Sequence, residues 1–139
     1  RHYFEDLKLG MEASLVRIVG KDDLQSFSEV TGDSNPLHLD DGFAAATPFK
    51  KRIAHGMLSA SYISAVIGTK LPGPGAIYIS QTLNFRAPVH IGDEVVAIVR
   101  ITDLIAHRRR AILGCACHVG GKVVVEGEAV IMIPSRAGR

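Results

Sequence analysis

The rhythm of apolar positions changes once along the chain, near residue 71. Before it, apolar residues recur at helical spacing after one short alternating run; after it, they alternate almost to the end. Residues 13–19, Ala-Ser-Leu-Val-Arg-Ile-Val, alternate loosely and stop at Gly20, which predicts a first strand. Asp22 or Asp23 then caps a short helix in which Leu24, Phe27 and Val30, spaced by three, form a buried stripe. Gly32, Asp33, Asn35 and Pro36 favour turns and make residues 31–38 a loop. Asp40 or Asp41 caps a second short helix from Gly42 to Thr47, ended by Pro48. The longest helix is predicted from Gly56 to Lys70, with no charge in the thirteen residues before Lys70. A helix apolar nearly all round is expected to be buried nearly all round. Its small residues (Ser59, Ala60, Ser61, Ser64, Ala65 and Gly68) let a neighbouring surface come close.

Leu71-Pro-Gly-Pro-Gly75 stops that helix, and strands follow at 76–86, 94–105, 111–119 and 122–133. Pro88 and Gly92-Asp93 separate the first two, and Gly120-Gly121 joins the last two as a hairpin. One strand, three helices and about four antiparallel strands predict an α+β domain, a sheet wrapped round the long helix. Such a sheet has an edge to manage, and pairing with a second copy would manage it.

Composition narrows the function. A chain of 139 residues suits one domain spanning 1–139, and 47% apolar with 22% charged residues is a globular composition. No apolar run reaches the roughly 18 residues of a membrane span. Arg1-His-Tyr-Phe-Glu-Asp lacks both an initiator Met and the apolar stretch of a secretory signal, and reads as trimmed or processed. A net charge of +2 is too small to argue for nucleic acid. The run Arg108-Arg-Arg110 has no interleaved aromatics for stacking bases and reads as a solvated turn. Cys115 and Cys117 share one strand face, where a disulfide would be strained. No second Cys or His pair completes a zinc site, so no metal is expected, and both cysteines read as reduced thiols in a reducing compartment.

The candidate chemistry lies just before the long helix. Asp33 and His38 are five residues apart, and Pro36 stiffens the stretch by fixing its own φ and extending Asn35. A carboxylate and an imidazole facing one water could deprotonate it and return a proton to carbon. The plainer alternative is a turn-forming Asp and a half-buried packing His. His55-Gly56 opens the helix, where free N–H groups attract developing negative charge and Gly56 lets a ligand approach the backbone. Gly56 N–H is thus a candidate oxyanion donor; alternatively, Gly56 eases helix entry and His55 caps or packs. Ser64, two turns on, bonds either to the carbonyl four residues back or to a side chain of the 31–38 loop.

Phe27-Ser-Glu-Val-Thr-Gly-Asp33-Ser-Asn-Pro-Leu-His38-Leu-Asp, with Phe43-Ala and Ile53-Ala-His-Gly-Met, resembles the hydratase 2 motif of MaoC-like (R)-specific enoyl-CoA hydratases of the hot-dog fold. Residues 71–85 and Ile91-Gly-Asp-Glu94 also resemble short members linked to polyhydroxyalkanoate synthesis and mitochondrial 3-hydroxyacyl-thioester dehydratases. The resemblance runs from about residue 5 to 134. It implies a five-stranded antiparallel sheet round one helix, in a homodimer or dimer of dimers with sites near the interface. It implies that Asp33 and His38 hold the water added to a trans-2-enoyl thioester, one as base and one as proton donor, giving an (R)-3-hydroxyacyl thioester. Gly56 would be the backbone donor to the thioester oxygen, Ser64 would support the catalytic loop, and Asn35 would shape it. His55, Met57, Lys51 and Arg52 are weaker candidates for substrate contact. Coenzyme A enters as part of the substrate, with acyl-carrier protein as an alternative, and no cofactor is required. The compartment would be the cytoplasm in a bacterium and the mitochondrial matrix in a eukaryote. Two other classes remain: a thioesterase on the same fold, against which the Asp-x4-His pair argues, and a non-catalytic acyl-CoA-binding subunit.

Overall fold

The computed structural model describes residues 1–137. In chain order these form β1 (Glu12–Ile18), α1 (Lys21–Thr31), α2 (Pro36–Leu39), α3 (Asp41–Ala45), α4 (Gly56–Thr69), β2 (Ile77–Gln81), β3 (Asn84–Phe85), β4 (Glu94–Ile105), β5 (Arg110–Val119) and β6 (Lys122–Met132). The sheet is antiparallel throughout, in the order β1-β4-β5-β6-β2, and β3 also pairs with β6. Alternate residues of β4 (Val95, Ala97, Val99, Ile101) and β5 (Ala111, Leu113, Cys115, Cys117) are buried in the core that also holds Leu58, Ile63, Val66 and Ile67 of α4. Gly120 and Gly121 both have positive φ, 57° and 79°, as the tight β5–β6 turn requires.

The loop expected at 31–38 ends early, because Pro36–Leu39 forms α2 with Asn35 as its cap, giving four helices where the sequence predicts three. Four further expectations are corrected. The segment 76–86 is not one strand: β2 and β3 lie end to end along β6, giving five lanes from six strands. The break falls where the Thr82 carbonyl presses on Gly127, at a point where any Cβ would collide with it. The start of α1 is not capped by an acid at the N-cap; Gly20 holds that position, and Asp23 reaches back to accept its N–H at 2.8 Å. The predicted stripe on α1 also shifts. Leu24 and Ser28 face inward and Phe27 is half-buried, but Val30 is 86% exposed, because two steps of three drift off a 3.6-residue face.

The fourth concerns α4, which is buried on one side only. Met57, Ser61, Ser64 and Gly68, at i, i+4, i+7 and i+11, form an uncovered stripe. No helix among the described residues is long and apolar enough to cross a membrane. Arg108 is exposed in a turn as expected, whereas Arg109 and Arg110 are half-buried.

Candidate active site

The loop between α1 and α2 is built by short side-chain bonds. Gly32 ends α1 in the left-handed region at φ 82°. Thr31 Oγ1 accepts the Asp33 N–H at 3.1 Å, and Asp33 Oδ1 accepts the Asn35 N–H at 3.3 Å. Asn35 Oδ1 in turn accepts the Leu37 N–H at 3.0 Å, capping α2 with Pro36 in its first turn. Asp40 caps α3 by accepting the Phe43 N–H at 2.8 Å.

This one-turn α2 delivers His38 to a buried position. Its Nδ1 lies 2.7 Å from the Ile53 carbonyl. A carbonyl only accepts, so Nδ1 carries the proton at this contact, and in the neutral ring Nε2 keeps the lone pair. Behind His38 lies His55, 2% exposed, its ring stacked on His38 with centroids 3.9 Å apart. Phe27 covers it from α1, with centroids 4.8 Å apart. His55 Nε2 is 3.2 Å from the Asp33 carbonyl. Burial pushes the His55 pKa below the ordinary value, more strongly than the bond to Asp33 raises it.

Ligand-type atoms of Asp33, His38 and His55 all lie within 4.8 Å of one another. The imidazole planes, 29° apart, are stacked, so their in-plane lone pairs run side by side instead of converging on an ion.

A cavity of about 550 Å³ opens beside this group, lined by His38, Gly56, Met57, Phe49, Phe85 and Val125, among others. Gly56 is the first residue of α4, so its N–H has no acceptor within the helix. It is also crowded: a Cβ there would lie 2.7 Å from Phe85 Cε1. The wall is mostly apolar, with His38, Ser59, Arg86 and the helix N-terminus as its polar features, a composition suited to an apolar ligand with a few polar groups.

The structure brings together Asp33, His38 and His55, with Asn35 on the same loop, and sets His38, Gly56 and Met57 on the cavity wall. Asp33, Asn35 and His55 do not line the cavity; His55 lies behind His38. Arg52 is not a free cation awaiting a phosphate. Its side chain is 11% exposed, and Nε donates to the His38 carbonyl at 2.7 Å, with Asp41 3.9 Å away. Lys51 is exposed on a neighbouring groove of about 310 Å³ that also holds Lys21 and Lys50. Ser64 is exposed, two helical turns from Gly56, next to the Tyr78 hydroxyl and not the loop. Burial raises the pKa of that hydroxyl to about 12. Missed in the sequence were the Ile53 carbonyl that orients His38, and Phe49 and Phe85 of the cavity wall. The Ile53↔His90 bridge that draws 53 towards 90 has no local sequence signal.

An α+β domain with an antiparallel sheet packed on one long helix is a hot-dog fold, and here it sets His38 beside a helix N-terminus at a largely apolar cavity. A MaoC like domain matches residues 6–115, and the chain belongs to that family. It is 56% identical over 134 residues to the 3-hydroxybutyryl-CoA dehydratase of Methylorubrum extorquens, covering 96% of this chain and 85% of the relative. It is 52% identical over 135 residues to the (R)-specific enoyl-CoA hydratase of Rhodospirillum rubrum, covering 97% and 94%. The R-hydratase PhaJ1 from Pseudomonas aeruginosa in its unliganded form superimposes with a TM-score of 0.91 at 44% identity, covering 96% of this chain and 86% of that one.

Proposed function

We propose that this chain adds water to trans-2-enoyl-CoA to give (R)-3-hydroxyacyl-CoA, and runs the reverse dehydration. The observation that carries this reading is the contact of His38 Nδ1 with the Ile53 carbonyl, which in the neutral ring leaves Nε2 with the lone pair, on a residue that lines the same cavity as Gly56. The names of the relatives support the substrate class.

The thioester oxygen accepts from Gly56 N–H, which draws electrons from the double bond. A water sits between the Asp33 carboxylate and His38 Nε2. Asp33 accepts one water hydrogen and aims the oxygen. His38 takes the other proton as oxygen bonds to C3, and the displaced electron pair rests on the thioester oxygen as an enolate. The imidazolium returns the proton to C2 as the enolate collapses, so one water is consumed and both groups end as they began. Water addition is redox-neutral and draws on no cofactor. Met57 and the phenylalanines of the wall hold the acyl chain. Lys51, with Lys50 and Lys21, offers cations to the phosphates of coenzyme A or to an acidic carrier protein.

The active unit is a homodimer or a dimer of two. The uncovered stripe of α4 adjoins the exposed β2 edge, where Ile77, Tyr78 and Ile79 are open. A second copy would bury both, and would bring Ser64 to an interface instead of to its own loop. Sedimentation should show a dimer that Ser64→Arg converts to monomer; an unchanged dimer refutes this interface.

Crotonyl-CoA tests the reaction. Loss of enoyl absorbance without free thiol, with an (R) product by chiral analysis, supports hydration. Release of free thiol means a thioesterase, and tight binding without turnover means a binding subunit. Longer enoyl chains and carrier-protein substrates then define the preference.

A further inference from the structure

The His55 imidazole carries an unusual combination of contacts. Its ring is fully buried, yet Nδ1 has no hydrogen-bond partner among the described residues. A buried polar atom left unpaired is costly. A phenylalanine would fill the same gap between Phe27 and His38 without that cost. What phenylalanine could not supply is the second nitrogen: Nε2–H donates to the Asp33 carbonyl at 3.2 Å.

We propose that His55 is a positioning residue for the Asp33–His38 pair, a wedge whose Nε2–H fixes the Asp33 backbone while its ring fixes the plane of His38. Three parts of the site meet at this residue. Its bond to the Asp33 carbonyl holds the loop; its face holds His38, whose edge is held by Ile53. Its own backbone is the N-cap of α4, so the next N–H is that of Gly56. The spacing between the water-holding pair and the oxyanion donor is thereby set through one side chain. Reacting groups misplaced by about an ångström lose on the order of a hundredfold in rate.

The electrostatics agree. The titratable groups facing His55 are His38 from α2 and Asp33 from the loop, while Phe27 from α1 is uncharged. Burial disfavours the charged form of His55. The neighbouring His38 disfavours it further, so the stacked pair opposes a charge on His55.

The inference rests on the hydratase reading, and the test separates the two. Wild type, His55→Phe and His55→Gln are compared on crotonyl-CoA. Phenylalanine keeps the ring and removes the donor; glutamine places an N–H near the Nε2 position. The expected result is a roughly thirtyfold loss of kcat for His55→Phe with KM within about twofold. His55→Gln should recover kcat to within about threefold of wild type. Equal kcat in wild type and His55→Phe overturns the proposal, and so does a glutamine variant as impaired as the phenylalanine one. If His55→Phe does not fold, nitrogen NMR of the wild type decides: the Nε2–H tautomer of His55 at neutral pH is required, and an Nδ1–H tautomer or an imidazolium overturns it. A wild type that hydrates no enoyl-CoA refutes the hydratase reading, and the tautomer still decides the geometry.

Discussion

Gly56→Ala separates folding from chemistry at this site. The backbone of Gly56 is helical and not in the positive-φ region, so alanine fits it. Alanine in a helix is worth up to about 1 kcal/mol over glycine, less in the first turn. Against that, the new Cβ would sit 2.7 Å from Phe85 Cε1, and the ring must recede about 0.7 Å to reach the 3.4 Å of ordinary contact. Phe85 is exposed on one side and can swing, so the two effects nearly cancel and stability should move by less than about 1 kcal/mol. Activity should not survive as well. The methyl group and the displaced ring occupy the approach to the Gly56 N–H, where the thioester oxygen must come. Losing one oxyanion donor costs about a hundredfold, or about 2.7 kcal/mol of transition-state stabilisation. The assay is kcat/KM on crotonyl-CoA alongside the thermal midpoint. A variant within twofold of wild type refutes the oxyanion role; a midpoint collapse refutes the packing argument.

Other consequences are equally specific. Arg52→Ala removes the donor to the His38 carbonyl and should cost about 1–3 kcal/mol by urea unfolding, with lower kcat; an unchanged urea midpoint contradicts the bond. Burial raises the thiol of Cys115 to about 11 and that of Cys117 to about 12, so thiolate is scarce at pH 8. Iodoacetamide should therefore spare both in the folded protein and label both in urea. His55 has a depressed native pKa, so the unfolded chain binds its proton first as pH falls. Its contribution is present above the unfolded value near 6.5 and is lost below it, towards the lower native value. The thermal midpoint of wild type should fall through that window more steeply than that of His55→Gln, and parallel curves would refute this.

Local patterns carried much of the fold into the sequence. The Gly120-Gly121 hairpin, the uncharged run of α4 and the turn residues at 32–36 each act through neighbouring backbone, so they are readable without tertiary contacts. Asn35 and Pro36 belong to this group because a cap and a fixed φ are local devices. The rest depends on contacts distant in sequence. Val30 fits a spacing of three but not the true helical face. The break between β2 and β3 is set by Gly127 across the sheet, some forty-five residues on. Arg52 reads as the end of a cationic run because Lys50 and Lys51 precede it, and only the fold puts its Nε under the His38 carbonyl. The same applies to the uncovered side of α4, whose composition asks for burial that a single chain does not provide.

The central claim is that Asp33 and His38 act as one unit on one water. The most direct measurement is kcat on crotonyl-CoA for Asp33→Asn, His38→Gln and the double variant. Groups sharing a step are non-additive. Each single variant should lose about a thousandfold, and the double should be no worse than the poorer single by more than about threefold. Single losses under about tenfold, or a double loss equal to the product of the two, would contradict the account.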